Sequence, residues 1–158
     1  MDECIFCKIV NNEAPSYKIW EDDEFLAILS IYPNTEGFTV VLPKKHYTSY
    51  AFELNDDILL KLVLASKKVA KLLDNAFEDV GRTGLFLEGF GVNHLHSKLF
   101  PMHGTNHLIQ DWKPVKSDIN TYFEEYRGYI SSHDSERISD DELKKIALKI
   151  KNSIKSDQ

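Results

Sequence analysis

Short apolar runs separated by polar breaks occupy the first part of the chain. Tyr17 to Trp20 and Phe25 to Leu29 flank the acidic stretch EDDE, which reads as a hairpin connection, and Phe38 to Leu42 is an apolar, β-branched run stopped by Pro43. The period then changes. Between Asn55 and Phe77, residues Ile58, Leu59, Leu62, Val69, Leu72, Leu73 and Ala76 recur at intervals of three and four with lysines and aspartates mostly between them, which predicts an amphipathic helix of about six turns. Asn55 is placed to cap it, and Asp56 and Asp57 suit its positive end. After the turn signal DVGRTG, Leu85 to Leu87 predicts a short strand, GFG breaks it, and Asn93 to Phe100 predicts another. Strands, then a long helix, then strands is the order of an α+β domain rather than of regular βα repetition.

Past Lys98 the alternation fades into LFPMHGTNHLIQDWKP, which reads as a long ordered loop leading to a C-terminal extension. The extension predicts a helix near Asp118 to Glu125 with Ser117 as its cap, an edge strand from Tyr129 to Ser132, and a helix from Asp140 to about Ser153. Ser139 and Glu142 stand in capping-box spacing at the start of the last helix. Trp112, Tyr122, Phe123, Tyr126 and Tyr129 read as residues packed against the sheet, with closure of the pocket or a larger dimer interface as the alternatives. The expected division is a domain over 1–110 and an extension over 111–158 packed on it.

A length of 158 residues, 42 % of them hydrophobic and 28 % charged, is that of one folded domain. The net charge of -6 offers no general attraction for a polyanion, so extended nucleic acid is excluded as a partner while a local pocket for a small phosphate compound is not. Nothing approaches roughly 18 consecutive apolar residues, and the acidic start MDECIFCKIVNNEAP lacks the basic end and apolar stretch of a signal peptide. The expectation is a cytoplasmic protein without a membrane span.

Histidines stand at 46, 94, 96, 103, 107 and 133. His94, His96 and Lys98 alternate inside HLHSKLF, so on a strand all three leave one face while Leu95, Ser97 and Leu99 leave the other. Two imidazoles and an ammonium on one surface suit a nucleophilic, anion-binding site. The same spacing fits ordinary residues on a half-buried strand, or metal ligands. Cys4 and Cys7 form one CxxC, which fits a redox pair, half of a metal site or two core thiols. Two thiolates with two distant imidazoles would make a tetrahedral zinc set, and spacing does not choose the histidines.

CIFCKI, followed by APSYKIWEDDEFLAIL, then GFTVVLPKKH, then GVNHLHSKLFP, resembles the histidine-triad (HIT) family over residues 1 to about 102. The resemblance implies an antiparallel sheet with a long helix, commonly a homodimer, that binds a purine nucleotide derivative. It further implies hydrolysis of phosphoramidates or dinucleoside polyphosphates, or nucleotidyl transfer, through the middle histidine of His-x-His-x-His, here His96. For members that begin with CxxC it implies a structural zinc held by Cys4, Cys7, His46 and His94. Its base-side surface falls on Ile5, Phe6, Phe25 and Ile31.

The chain departs from the family pattern at several of these positions. The third triad histidine is Lys98, which suits a phosphate oxygen as a point charge but not proton exchange near pH 7. Phe38 replaces a histidine, Ser30 a ribose-binding aspartate, and Gly91 a hydroxyl residue that meets phosphate, while Leu87 lies near the usual phosphate-side asparagine. His94, His96 and Lys98 are therefore the candidate catalytic set, with His103 from PMHG as a replacement contact. The alternative expectation is a noncatalytic nucleotide-binding or protein-interaction scaffold stiffened by zinc. His133 and Arg137 stand outside the site.

Overall fold

The computed structural model describes residues 4–111, 113–115, 117–129, 137, 139–143 and 145–146. Two compact units divide the chain, Met1–Trp112 and Lys113–Gln158. The first contains a short helix α1 (Ile5–Val10), strands β1 (Lys18–Glu21), β2 (Phe25–Leu29) and β3 (Thr39–Pro43), the long helix α2 (Asp56–Ala76), and strands β4 (Thr83–Phe86) and β5 (Ser97–Pro101). The strands form one antiparallel sheet in the order β1-β2-β3-β5-β4. This is the α+β architecture expected from the sequence.

Period-two alternation assigns the two faces of the sheet. Phe25, Ala27, Val41, Leu95 and Leu99 point toward α2 and bury Ile58, Leu62, Ala65, Val69 and Leu73. Within this apolar layer Ser66 donates its hydroxyl to the Leu62 carbonyl at 2.7 Å and meets the Ser97 hydroxyl at 2.7 Å, so both buried polar groups are satisfied. The opposite face carries Leu26, Ile28, Val40 and Leu42 against Ile9 of α1. Asn55 caps α2 as its sequence position predicts, its side chain accepting the Ile58 N–H at 3.1 Å.

The structure moves several boundaries. α1 was not anticipated, because CIFCKIV is too short for periodicity to declare a helix. β4 begins at Thr83, not Leu85, and β3 includes Pro43. β5 begins at Ser97 rather than Asn93: the His94 N–H bonds to the Val92 carbonyl and the Leu95 N–H to the Tyr47 carbonyl, which takes both amides out of the ladder.

In the second unit the helix expected over 118–125 is absent. Ser117 accepts from Ile119 N–H in a tight turn instead of capping, and Ile119, Thr121, Tyr122 and Phe123 are weak helix formers. Residues 140–143 and 145–146 are helical, and Ser139 and Glu142 make the reciprocal capping box, with Ser139 N–H donating to Glu142 at 3.2 Å and Glu142 N–H to the Ser139 hydroxyl at 3.3 Å. Tyr129 lies in a bend, and the rest of the expected edge strand falls outside the described residues, as does His133.

An ionic lock joins the exits of α2 and β5. His103 Nδ1–H donates to Asp79 Oδ1 at 3.0 Å and Nε2–H to the Glu36 carbonyl at 3.0 Å, and Gly104 N–H adds a 3.0 Å bond to Asp79. Only the imidazolium donates from both nitrogens. The Glu36 carbonyl and then the Asp79 carboxylate hold the His103 pKa above its usual value, while His103 and then Gly104 hold Asp79 below its own. The lock therefore contributes fully from about pH 4 to about pH 6.5. It is lost as pH rises through the raised His103 value, and on the acid side as pH falls through the lowered Asp79 value. We expect the difference in melting temperature between wild type and His103→Gln to be greatest at pH 5 to 6 and to shrink by pH 9; a difference flat across that range would show that the imidazolium is not the source.

Candidate functional site

Both sulfurs of the CxxC pair lie at the start of α1, where a spacing of three residues puts them on one side of the helix. His46 follows β3, and His94 precedes β5 in a segment fastened to the 46–50 loop. Leu95 N–H bonds to the Tyr47 carbonyl at 2.9 Å, and Ser49 N–H bonds to the Asn93 side-chain oxygen at 3.1 Å. Gly89, with φ +73°, permits this closure, since a Cβ there would stand 2.9 Å from the Ser49 carbonyl oxygen.

The ligand atoms of Cys4, Cys7, His46 and His94 lie within 4.8 Å of one another. His94 Nδ1 is 3.5 Å from Cys4 Sγ and 3.6 Å from Cys7 Sγ, and His46 Nδ1 is 3.3 Å from Cys7 Sγ. His94 is fully buried, and its Nε2–H donates to the Pro43 carbonyl at 2.8 Å. That bond leaves Nδ1 as a bare lone pair aimed at two sulfurs, of which it can accept a hydrogen from only one. A cation between the four atoms satisfies all of them, and the cluster is capable of coordinating a metal. Burial, and then the adjacent Cys4, raises the Cys7 thiol pKa in the metal-free protein. Burial is likewise the main cause of the lowered His94 pKa, keeping that imidazole neutral as a ligand must be.

His96, 3 % exposed, lies on the same side of the chain as His94, while Leu95 and Ser97 face α2. The alternation read from the sequence holds although residues 94–96 are not in the strand. His96 Nδ1–H donates to the His94 carbonyl at 2.7 Å, which sets the tautomer and directs the Nε2 lone pair away from the backbone. Burial pulls its pKa down against this hydrogen bond, favouring the neutral imidazole. Phe6 of α1 meets both rings edge to face, 5.5 Å from His96 and 5.8 Å from His94.

Lys98 follows on the same face and is ion-paired with Glu88. Sequence reasoning missed Glu88; the signal available was a lone acid in FLEGFG, just ahead of the turn that returns the chain along β5. Burial lowers the Lys98 pKa, while the neighbouring carboxylate favours the charged ammonium. Val40 and Phe86 are its cross-strand partners. Phe38 stacks on Phe100 at 4.5 Å and Phe86 meets Phe100 at 5.0 Å, so an aromatic cluster extends the face beyond Lys98.

Two other expected contacts, Phe25 and His103, are engaged elsewhere. Phe25 is buried on the α2 side of the sheet, so it is no base-side residue. Ile5 and Ile31 are exposed, Ile31 at 65 %. His103 is engaged by Asp79 and Glu36 in the ionic lock. The Ser30 hydroxyl accepts the Tyr32 N–H at 3.2 Å.

The HIT domain family profile matches residues 11–105 of this chain. The chain belongs to the HIT family. Among its relatives, an uncharacterised HIT-like protein of Methanocaldococcus jannaschii is 34 % identical over 130 residues, covering 79 % of this chain and 99 % of that one. An adenosine 5'-monophosphoramidase of Saccharomyces cerevisiae is 30 % identical over 118 residues, covering 74 % of each. The crystal structure of a zinc-bound histidine triad family protein from Mycobacterium smegmatis superposes with a TM-score of 0.58 at 26 % identity, over 63 % of this chain and 75 % of that one. Membership places the chain in a superfamily of hydrolases and nucleotidyl transferases that act on nucleotides. Among the described residues no helix is long and apolar enough to cross a membrane.

The four-donor cluster makes a direct prediction. Protein purified without added metal should contain about one transition-metal ion per chain, and Cys7→Ser should lose it together with several degrees of melting temperature. Elemental analysis with a thiol titration on the same sample decides the matter. Two freely reactive thiols and no metal would remove the centre.

Proposed function

We propose that this HIT protein hydrolyses a purine nucleotide derivative, or transfers its nucleotidyl group, through a covalent bond to His96. The observation that carries the reading is the hydrogen bond from His96 Nδ1–H to the His94 carbonyl, which leaves Nε2 as an unprotonated nucleophile. Family membership and the monophosphoramidase relative support the substrate class.

Zinc is the metal the donor set fits. Zinc–sulfur bonds of about 2.3 Å and zinc–nitrogen bonds of about 2.0 to 2.1 Å at tetrahedral angles place sulfur and nitrogen about 3.6 Å apart, close to the separations of 3.3 to 3.6 Å seen here. When bound it would be held by Cys4, Cys7, His46 and His94, and with four protein ligands it would stiffen the site without meeting substrate.

The chain's own residues perform two displacements. His96 Nε2 forms a bond to the α-phosphorus; the bond from phosphorus to the leaving group breaks, and a departing amine leaves with the electron pair and takes a proton from solvent. Water then forms a new bond to phosphorus, the bond to Nε2 breaks with its electrons returning to the imidazole, and water's proton passes to solvent. Nδ1–H stays on the His94 carbonyl throughout, stabilising the positive charge that the ring carries while bonded to phosphorus. Lys98 adds an ammonium on the same face.

His96→Ala should abolish release of AMP from adenosine 5'-phosphoramidate, with nucleotide affinity and metal content little changed. Lys98→Ala should be milder and weaken phosphate stabilisation. Wild type that binds AMP but cleaves neither phosphoramidate nor dinucleoside polyphosphate would leave the noncatalytic nucleotide-binding reading.

A homodimer is part of the same proposal. Leu60, Val63, Leu64 and Leu72 of α2 and Leu85 of β4 are exposed, and β4 is an edge strand of the sheet. Sedimentation equilibrium at micromolar concentration should return about twice 18.2 kDa. A mass of one chain would overturn the dimer.

A further inference from the structure

The lysine that replaces the third triad histidine is joined to Glu88, on the face that carries His96. Lys98 follows His96 by two residues on that face, about 7 Å along an extended chain. Its ammonium pairs with Glu88, and the two side chains are only 23 % and 16 % exposed. The pair carries no net charge, and its partial burial strengthens the field of each member relative to water. Around it the same face presents Val40 and Phe86 across from Lys98, then Phe100 and Phe38, all uncharged. Among the described residues of this face, Lys98 is the cation two residues from His96, and Glu88 is ion-paired with it beside the phenylalanine rings.

A nucleoside monophosphate amide presents a single negative charge and an uncharged or cationic amine. Lys98 answers the one charge, and the Glu88 carboxylate beside it suits an amine that becomes an ammonium as it departs. A nucleotide with further phosphates places additional negative charge against the Glu88 carboxylate and the phenylalanine rings. We propose that Glu88 is a specificity-determining residue of this site: through its pairing with Lys98 it admits a nucleoside monophosphate joined to an amine and turns away nucleotides carrying further phosphates. The proposal rests on the reading of His96 as a nucleotidyl acceptor and names the substrate class for it.

The test compares wild type, Glu88→Gln and Glu88→Asp in the full chain. Calorimetry measures AMP, ADP and ATP without added magnesium, and kcat/KM is taken for adenosine 5'-phosphoramidate and for diadenosine tetraphosphate. Wild type should bind AMP more tightly than ATP. Glu88→Gln, which frees the Lys98 charge, should raise the affinity for ATP relative to AMP by about tenfold and steepen its salt dependence, while Glu88→Asp keeps the wild-type order. The ratio of kcat/KM between the two substrates should move the same way. An ATP-to-AMP affinity ratio within about twofold of wild type in Glu88→Gln overturns the proposal, as does a wild type that binds none of the nucleotides. Wild type that binds in the expected order and cleaves nothing removes the catalytic reading alone, since the affinity ratios still judge Glu88.

Discussion

Four atoms able to ligate a metal bring together chain segments that lie 39 and 90 residues apart, and the geometry of the site depends on that closure. α1 is six residues long and has no side-chain cap, so it has little stability of its own. It is held by Ile9 in the apolar layer and by its two cysteines facing His46 and His94. Once held, it presents Phe6 to His96. His94 serves the site twice: its ring belongs to the donor set, and its carbonyl takes the Nδ1–H of His96. The orientation of the nucleophile candidate is therefore set by the backbone of a residue whose side chain is itself fixed at both ring nitrogens.

The sheet separates packing from chemistry by face. Leu95, Ser97 and Leu99 go to α2, and His94, His96 and Lys98 to the other side. A tightly packed face behind the histidines leaves the segment little freedom to rotate, which matters for a reaction in which a misplacement of about 1 Å is costly. Burial on this face also keeps both imidazoles neutral, as suits a ligand and a nucleophile. The exposed ends of the unit are tied differently, by the bonds His103 makes to Asp79 and Glu36.

Two of the departures from the family pattern prove to be related in space. Lys98 lies on the nucleophile's face with Glu88 as its partner, and Phe38 joins Phe86 and Phe100 on the same surface. Together they form one altered region of fixed character, a neutral ion pair on aromatic rings, next to an unaltered nucleophile position.

Periodicity alone determined the two faces of the sheet, the span of α2 and its Asn55 cap, because these follow from side-chain direction within one element and from local hydrogen bonding. The capping box at Ser139 was legible for the same reason. The residues able to meet at a metal were visible as types, and the family resemblance selected among them. Only the tertiary structure decided which nitrogen of His94 and His96 is free, since that depends on the Pro43 and His94 carbonyls. It also decided that Phe25 lies behind the sheet, that β5 begins after the histidines, and that Glu88 neutralises Lys98. The His96 bond is local and turns on the backbone conformation of residues 94–96, outside any strand; each of the others turns on where a second segment lies in space, and a pattern along one segment carries no record of the groups that another segment brings against it.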